Sequence, residues 1–254
     1  MSEAIYGEYP TTPVVYAACD SKYFMDHAAS FIYSANDIGK NVHIHICNPT
    51  DEVWTKSIIL NADTDIRITY TANDLDMSTS GDHQGPVQEE AERTYYACLR
   101  FLYLQDIVVR AGKVLALDID CLLMKKFDFP AAPIGYFPRE SIPGTVGWEH
   151  QGTKVAAGIF YIEEYANAVA SQICRRIEQG PFNWFLDQIA LSEVMDFVPK
   201  ERVEEFNEDF MDWNFRDGSA IWTGKGDRKF NNLKYVKAKK EFDRYKSATT
   251  RCWV

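Results

Sequence analysis

Two aspartates, Asp118 and Asp120, are the residues whose spacing most directly indicates chemistry. They follow the apolar run Val114-Leu115-Ala116-Leu117, which has the composition of a buried strand. Side chains alternate along a strand, so two carboxylates one residue apart are expected on the same side. Such a pair favours a hard divalent cation, Mg²⁺ or Mn²⁺, which takes oxygen ligands and bridges carboxylates to phosphates. The pair predicts a metal and a diphosphate, and simple capping of the next turn is the structural alternative.

Alternating strands and helices are expected to position this pair. Apolar runs predict buried strands at residues 14–19, 42–47, 66–70 and 113–118, with helices at 24–38, 53–60 and 88–109 between them. This order indicates parallel strands joined by right-handed crossovers, and ligands bind beyond the carboxyl ends of such strands. Cys19 and Asp20 should therefore meet the aspartate pair there. An aspartate after a strand could also begin a phosphatase of the haloacid dehalogenase type, but here it follows the fourth strand rather than the first.

The second half of the chain is less regular. Strands are predicted at 134–137 and 155–162, and helices at 164–179, 184–194 and 233–247. A loop with Gly and Pro at 139–153 contains Trp148, and we interpret it as a lid over an acceptor. The whole chain, 1–254, is expected to form one domain with a nucleotide-binding half at about 10–125, an acceptor-side half at about 126–232 and a basic C-terminal helix.

Charge and cysteine content narrow the class of protein. The formal net charge of −10 argues against a nucleic-acid-binding protein, although residues 225–254 hold ten Lys or Arg and three Asp or Glu. Six scattered cysteines without Cys-x-x-Cys spacing indicate free thiols in a reducing compartment. Without a signal-peptide pattern or a long apolar run, we expect a cytoplasmic protein with no membrane span, and a homo-oligomer is left open.

Five motifs, in order, resemble glycosyltransferase family 8, whose members have the α/β fold called GT-A. The resemblance extends from about residue 14 to 230. The motifs are the first strand and turn VVYAACDSKYF, the helix and strand RFLYLQDIV and GKVLALDIDCLL, the strand AAGIFYI, the helix WFLDQIAL and the closing loop TGKGDRK. Each motif alone has little specificity, and their shared order makes the resemblance specific.

The resemblance implies a metal-dependent transfer of a sugar from a nucleotide-diphosphate donor to a hydroxyl of a glycan or other acceptor. A UDP-sugar is the favoured donor. The resemblance places Mn²⁺ or Mg²⁺ on Asp118 and Asp120. Around the donor it places the following residues: Ala17, Cys19, Asp20, Tyr23, Arg100, Asp118, Ile119, Lys225, Gly226, Arg228 and Lys229. It assigns Ala157 and Gly158 to the acceptor side. Trp148 is added to that side because an aromatic face with a polar edge suits a sugar ring.

Asp187 and Gln188 are the candidate catalytic residues. Asp187 is interpreted as a base or an acceptor anchor, with a surface position on a helix as the alternative, and Gln188 matches the family residue near the anomeric carbon. The stereochemical outcome is left open. His43 and His45 share one strand face, but no third ligand accompanies them, so we expect both to be structural.

Two positions depart from the family pattern. Thr223 occupies the place of a histidine metal ligand, and a hydroxyl is a poorer ligand than imidazole. Ala156 replaces an asparagine. Two alternatives follow: a sugar-phosphate nucleotidyltransferase, although the Gly-rich signature after the first strand is absent, and a catalytically inactive scaffold that binds a nucleotide-sugar.

Overall fold

A large mixed sheet forms the centre of the protein. The computed structural model describes residues 5–75, 86–139, 153–180, 185–224 and 226–244, with only the backbone of 86–91 and 244. In this part of the chain eight strands follow the order β1-β4-β3-β2-β5-β8-β7-β9, and three more form a second sheet, β10-β11-β6. The strands are β1 Tyr6–Gly7, β2 Val14–Asp20, β3 Val42–Cys47, β4 Ile68–Asn73, β5 Lys113–Leu117, β6 Cys121–Leu123, β7 Ile134–Pro138, β8 Val155–Glu163, β9 Val203–Glu205, β10 Met211–Asp212 and β11 Ile221–Thr223.

Helices cover both faces of the main sheet. One apolar cluster includes Phe24 and Phe31 beneath one face, and another includes Leu99 and Phe101 beneath the other. No helix in the described residues has the length and apolar composition needed to cross a bilayer. The helices are α1 Ser21–Asp37, α2 Asp51–Ala62, α3 Pro86–Leu102, α4 Leu104–Ala111, α5 Asn167–Gln179, α6 Leu186–Met195, α7 Arg228–Asn231 and α8 Leu233–Arg244.

The strand directions confirm the predicted α/β layering. Strands β4, β3, β2 and β5 are parallel, as the alternation of strands and helices predicts. Strand β8 then joins β5 in the antiparallel direction, with Leu117 opposite Ile159. This pairing brings the segment around Gly158 beside Asp118, whose backbone N–H donates to the carbonyl of Gly158 at 3.3 Å. The aspartate pair therefore begins directly after the central strand β5 of the main sheet.

Several sequence predictions need correction. The single helix predicted at 88–109 is two helices, α3 and α4, separated at Tyr103 without a Gly or Pro to signal the break. The ring of Tyr103 packs on His45 with centroids 4.0 Å apart, so a tertiary contact accompanies this break. The apolar strand ends at Leu117, so Asp118 is not part of it. Strands β1, β6 and β9 to β11 and helix α7 were not predicted, and they are short.

A buried polar ladder joins β3 to β4. His43 is hydrogen-bonded to Thr69 at 2.8 Å and Thr71 at 3.0 Å, and His45 to Thr71 at 3.0 Å and Asn73 at 2.9 Å. The Oδ1 atom of Asn73 only accepts, so each ring is neutral and donates through Nε2, with the threonine hydroxyls donating to Nδ1. Burial lowers the pKa of His43 to about 3 and that of His45 to about 4. The expected structural role of both histidines agrees with this geometry.

The ladder predicts an acid-sensitive contribution to stability. Unfolded His45 takes a proton near its ordinary pKa of about 6.5, whereas the folded residue stays neutral until about pH 4. Its contribution is therefore complete above pH 6.5 and is lost as the pH falls. In His45→Gln, the difference in unfolding free energy from wild type should shrink by about 1–2 kcal/mol between about pH 7 and pH 5. Urea unfolding measures this, and a difference independent of pH would contradict it.

Candidate functional site

Asp118 and Asp120 lie on a tight turn between the two sheets. The turn follows β5 and closes with a hydrogen bond from the backbone N–H of Cys121 to the carbonyl of Asp118 at 3.0 Å. The alternation argument from a strand is therefore wrong, and the turn itself holds the pair. The side chain of Asp118 is 35% exposed and that of Asp120 is 10% exposed. One carboxylate thus faces solvent while the other lies inside the protein.

A buried arginine neutralises the first carboxylate. Arg100, near the end of α3, contacts the Oδ1 atom of Asp118 through Nη1, and its Nη2 lies 3.4 Å from Oδ2 of Asp187. Burial alone lowers the pKa of Arg100, but the charges of Asp118 and Asp187 outweigh it and raise this pKa. The sequence prediction placed Arg100 by resemblance, and the structure brings it together with two other predicted site residues.

A lysine from the closing loop neutralises the second carboxylate. The Nζ atom of Lys229 donates to Oδ2 of Asp120 at 3.0 Å and to the hydroxyl of Tyr23 at 3.1 Å. Burial raises the pKa of Asp120, the charge of Asp118 adds to this rise, and Lys229 opposes it. In Lys229, burial lowers the pKa, but the charge of Asp120 outweighs it and the pKa rises. Tyr23, Asp120 and Lys229 therefore meet across 206 residues of chain.

The oxygen atoms of this turn suit a hard cation. The Oδ1 atom of Asp120 is buried and has no hydrogen-bond partner, which is costly unless a positive charge approaches it. A Cβ atom at Gly158 would lie 2.9 Å from Oδ2 of Asp118, so a glycine there leaves room for that carboxylate. In the described residues, no three His, Cys, Asp or Glu side chains form a metal-binding group. The two aspartates thus fit a cation that keeps water or phosphate oxygens as its other ligands.

Thr223 lies where the resemblance places a histidine ligand. It ends β11 directly opposite Cys121, the residue after Asp120. Thr223 is buried, only 1% exposed, and pairs with Cys121 in the second sheet. The second sheet therefore places Thr223 beside the aspartate turn, with a hydroxyl where the family has an imidazole.

Four more residues were predicted to lie near the donor, and three of them are buried in the apolar core. Ala17, Cys19 and Ile119 are buried in the apolar cluster that includes Phe24, so they support the site from beneath. Asp20 caps α1 by accepting from the backbone N–H of Tyr23 at 2.7 Å.

The structure describes only some of the residues predicted in the closing loop and on the acceptor side. Gly226 has a φ of 60°, which favours glycine, and Nη1 of Arg228 donates to the carbonyl of Trp213 at 3.3 Å. Ala157 is buried beside Gly158 on β8. Lys225, Trp148 and most of the predicted lid lie outside the described residues.

Two residues near the site were missed in the sequence. Tyr235 on α8 is buried and donates its hydroxyl to the carbonyl of Asp120 at 2.5 Å. Arg139, the residue after β7, is buried and contacts Gln188. The isolated tyrosine in a basic helix carried no signal. The arginine stood at the start of the proposed lid, and its burial was the property that the sequence did not reveal.

Comparisons with known proteins identify the fold. No family model and no curated protein matches the sequence. Three solved structures are similar: the bifunctional glycosyltransferase WbbM, at a TM-score of 0.63 and 13% identity over 93% of this chain; GlyE of Streptococcus pneumoniae, at 0.56 and 13% over 91%; and the galactosyltransferase LgtC with donor and acceptor sugar analogs, at 0.52 and 14% over 89%. The chain spans 50% of WbbM, 61% of GlyE and 95% of LgtC. It has the fold of these glycosyltransferases, and the predicted GT-A fold is confirmed.

The buried pair of Asp120 and Lys229 predicts a stability effect. Lys229→Met removes the hydrogen-bond donor to the Asp120 carboxylate and leaves its charge uncompensated, so the unfolding free energy should fall by about 3 kcal/mol. Adding Asp120→Asn should recover part of the loss. Lys234→Met is the matched control, because Lys234 pairs with Asp217 at the surface and should contribute less than about 1 kcal/mol. Equal losses in the two lysine variants, measured by urea unfolding, would contradict this prediction.

Proposed function

We propose that this chain is a metal-dependent glycosyltransferase that moves a sugar from a nucleoside-diphosphate donor to a hydroxyl acceptor. UDP-sugar is the donor that the motif resemblance favours, and a glycan is the favoured acceptor. The observation that carries the proposal is the turn of Asp118 and Asp120. It follows the central strand of a glycosyltransferase fold, and Arg100 and Lys229 contact its two carboxylates.

The charges around the turn support diphosphate binding. Lys229 lies against Asp120, and the preceding loop contains Gly226 in a left-handed conformation and Arg228. Backbone N–H groups at such a glycine approach phosphate closely, and Lys and Arg form charge-assisted hydrogen bonds with it. Charge that develops on the leaving diphosphate is stabilised by groups that are already in place. These side chains therefore suit the departure of a nucleoside diphosphate.

Mn²⁺ or Mg²⁺ would be held by Asp118 and Asp120. When bound, the ion supplies positive charge that stabilises the diphosphate leaving group. The unpartnered Oδ1 atom of Asp120 supports this assignment, since a buried carboxylate oxygen without a donor is stabilised by a cation.

Asp187 and Gln188 are proposed to serve the reacting sugar. Asp187 is buried and lies 3.4 Å from Arg100, which links it to Asp118. Its carboxylate also accepts from the backbone N–H of Gln188 at 2.8 Å. Asp187 would anchor a hydroxyl, while Gln188 lies beside it with a partly exposed side chain.

One observation keeps an inactive nucleotide-sugar-binding protein as a second candidate. Thr223 is buried opposite Cys121, so the third protein ligand of the family is replaced by a residue that is a weak metal ligand. Such a site could bind a donor and fail to cleave it. Turnover, rather than binding alone, separates the two functions.

A screen of donors tests the proposal. The full chain should gain a few degrees in melting temperature with a UDP-sugar plus Mn²⁺, since a ligand of the folded state stabilises it. Slow, Mn²⁺-dependent release of UDP without acceptor should accompany the shift. Asp118→Asn and Asp120→Asn should abolish both effects, whereas Asp217→Asn, at an exposed carboxylate, should not. Stabilisation without release would indicate the inactive binding protein, and pyrophosphate release from a nucleoside triphosphate and a sugar phosphate would indicate a nucleotidyltransferase.

Substitution of a neighbouring glycine tests the role of Asp118 without changing the carboxylate itself. Gly158→Ala places a methyl group 2.9 Å from Oδ2 of Asp118 and should displace that carboxylate. We expect donor affinity in Mn²⁺ to fall about tenfold or more, with a small change in melting temperature. Gly218→Ala is the matched control, because a Cβ there meets nothing within 4 Å. Calorimetric titration with UDP measures the affinity of each variant. Equal affinities in Gly158→Ala and Gly218→Ala would contradict a role for Asp118 in donor binding.

A further inference from the structure

A buried arginine lies against the candidate catalytic glutamine. Arg139 follows β7, is only 2% exposed, and donates its backbone N–H to the carbonyl of Lys154 at 2.8 Å. Its Nη1 atom contacts Oε1 of Gln188 and lies 3.4 Å from Oγ1 of Thr153. The guanidinium also lies over the ring of Phe185, 5.8 Å from its centroid. The backbone of Arg139 is therefore fixed to Lys154, and its guanidinium contacts an amide oxygen, a hydroxyl and an aromatic ring.

This contact determines which way the amide of Gln188 points. A guanidinium has only N–H donors, so the atom of Gln188 that faces Arg139 must be the carbonyl oxygen. The NH₂ group then points away from Arg139, and within the part of the chain that the structure describes it has no hydrogen-bond partner. The backbone N–H of Gln188 is separately tied to Asp187, which fixes the start of the side chain. Both ends of Gln188 are thus restrained, and a donor group remains available.

We propose that Arg139 is a positioning residue, which holds the carbonyl oxygen of Gln188 so that the NH₂ group donates a hydrogen bond to an oxygen of the bound sugar. The inference rests on the proposed function and deepens it. It makes Gln188 a hydrogen-bond donor to the sugar. The carbonyl oxygen of Gln188 is bound by the guanidinium of Arg139 and does not face the sugar.

The surrounding charges are consistent with this role. Burial lowers the pKa of Arg139 and the charge of Asp187 opposes that change. The charge of Asp187 therefore acts on the guanidinium groups of both Arg100 and Arg139. Phe185, the residue before α6, has a left-handed φ of 74°, and the guanidinium of Arg139 lies over its ring. An arginine in this place can orient the amide without neutralising Asp118.

A double-mutant cycle tests the inference. Arg139→Met and Gln188→Leu should each lower kcat for donor cleavage about 10- to 100-fold, because the sugar loses its oriented donor, with the donor KM changed by less than about threefold. The double variant should be no slower than the slower single variant, since Arg139 acts through Gln188. A purely structural arginine would instead give independent losses that multiply. Arg175→Met, at an exposed arginine on α5, is the control and should match wild type.

Gln188→Glu provides a test that keeps Arg139 in place. The new carboxylate can pair with the guanidinium, so folding is preserved, but it has no NH₂ to donate. We expect the same loss of kcat as in Gln188→Leu, and Arg139→Lys should recover part of the loss seen in Arg139→Met. Near-wild-type kcat in Gln188→Glu, or multiplying losses in the cycle, would overturn the inference alone. A wild-type chain that cleaves no nucleotide-sugar would overturn the proposed function and the inference together.

Discussion

Two carboxylates on one turn are stable only if positive charge reaches both of them, and this constraint organises the site. Asp118 receives a guanidinium from a helix 18 residues earlier, and Asp120 an ammonium group from 109 residues later. Each cation is itself buried or partly buried, so the pairs are not exchangeable surface contacts. The chain must therefore fold α3 and the closing loop onto the same turn. One oxygen of Asp120 remains buried without a hydrogen-bond donor, so the carboxylate is only partly compensated by Lys229.

The C-terminal helix supports the same turn from outside the main sheet. In the sequence, the basic segment after Lys229 had the pattern of a solvated helix, and most of its lysines are exposed or paired with acids on the same helix. Tyr235 differs, because it is fully buried and bonds the backbone of Asp120. Its ring also lies close to Gly224, where a Cβ would come within 2.9 Å of the hydroxyl. The helix thus fastens the closing loop and the turn together.

Local patterns predicted the parallel half of the sheet well. The apolar runs at β2 and β5 identify strands because buried parallel strands consist almost entirely of apolar residues, and β3 is identified by the alternation of Val42, Ile44 and Ile46 with its histidines. Short strands such as β6 and β11 were missed because three residues carry too little periodicity, and their pairing joins segments about 100 residues apart. The same reason explains Arg139: its burial depends on a helix 49 residues later. The order of the family motifs, by contrast, identified Arg100 and Lys229 as site residues. Their contacts are long-range, so no local sequence pattern could have predicted them.

The imidazole ladder also determines how β3 and β4 are aligned. Each ring needs a donor on one side and an acceptor on the other, and only one placement of the strands supplies both to His43 and His45. A slip of two residues would keep the same faces inward, yet it would set one ring beside Arg67 or Leu75 with a nitrogen unmatched, at a cost of about 1–3 kcal/mol. Apolar residues at these positions would tolerate such a slip. The ladder therefore fixes a single register for the strand ends that face the site, and it also makes the stability of the fold sensitive to acid.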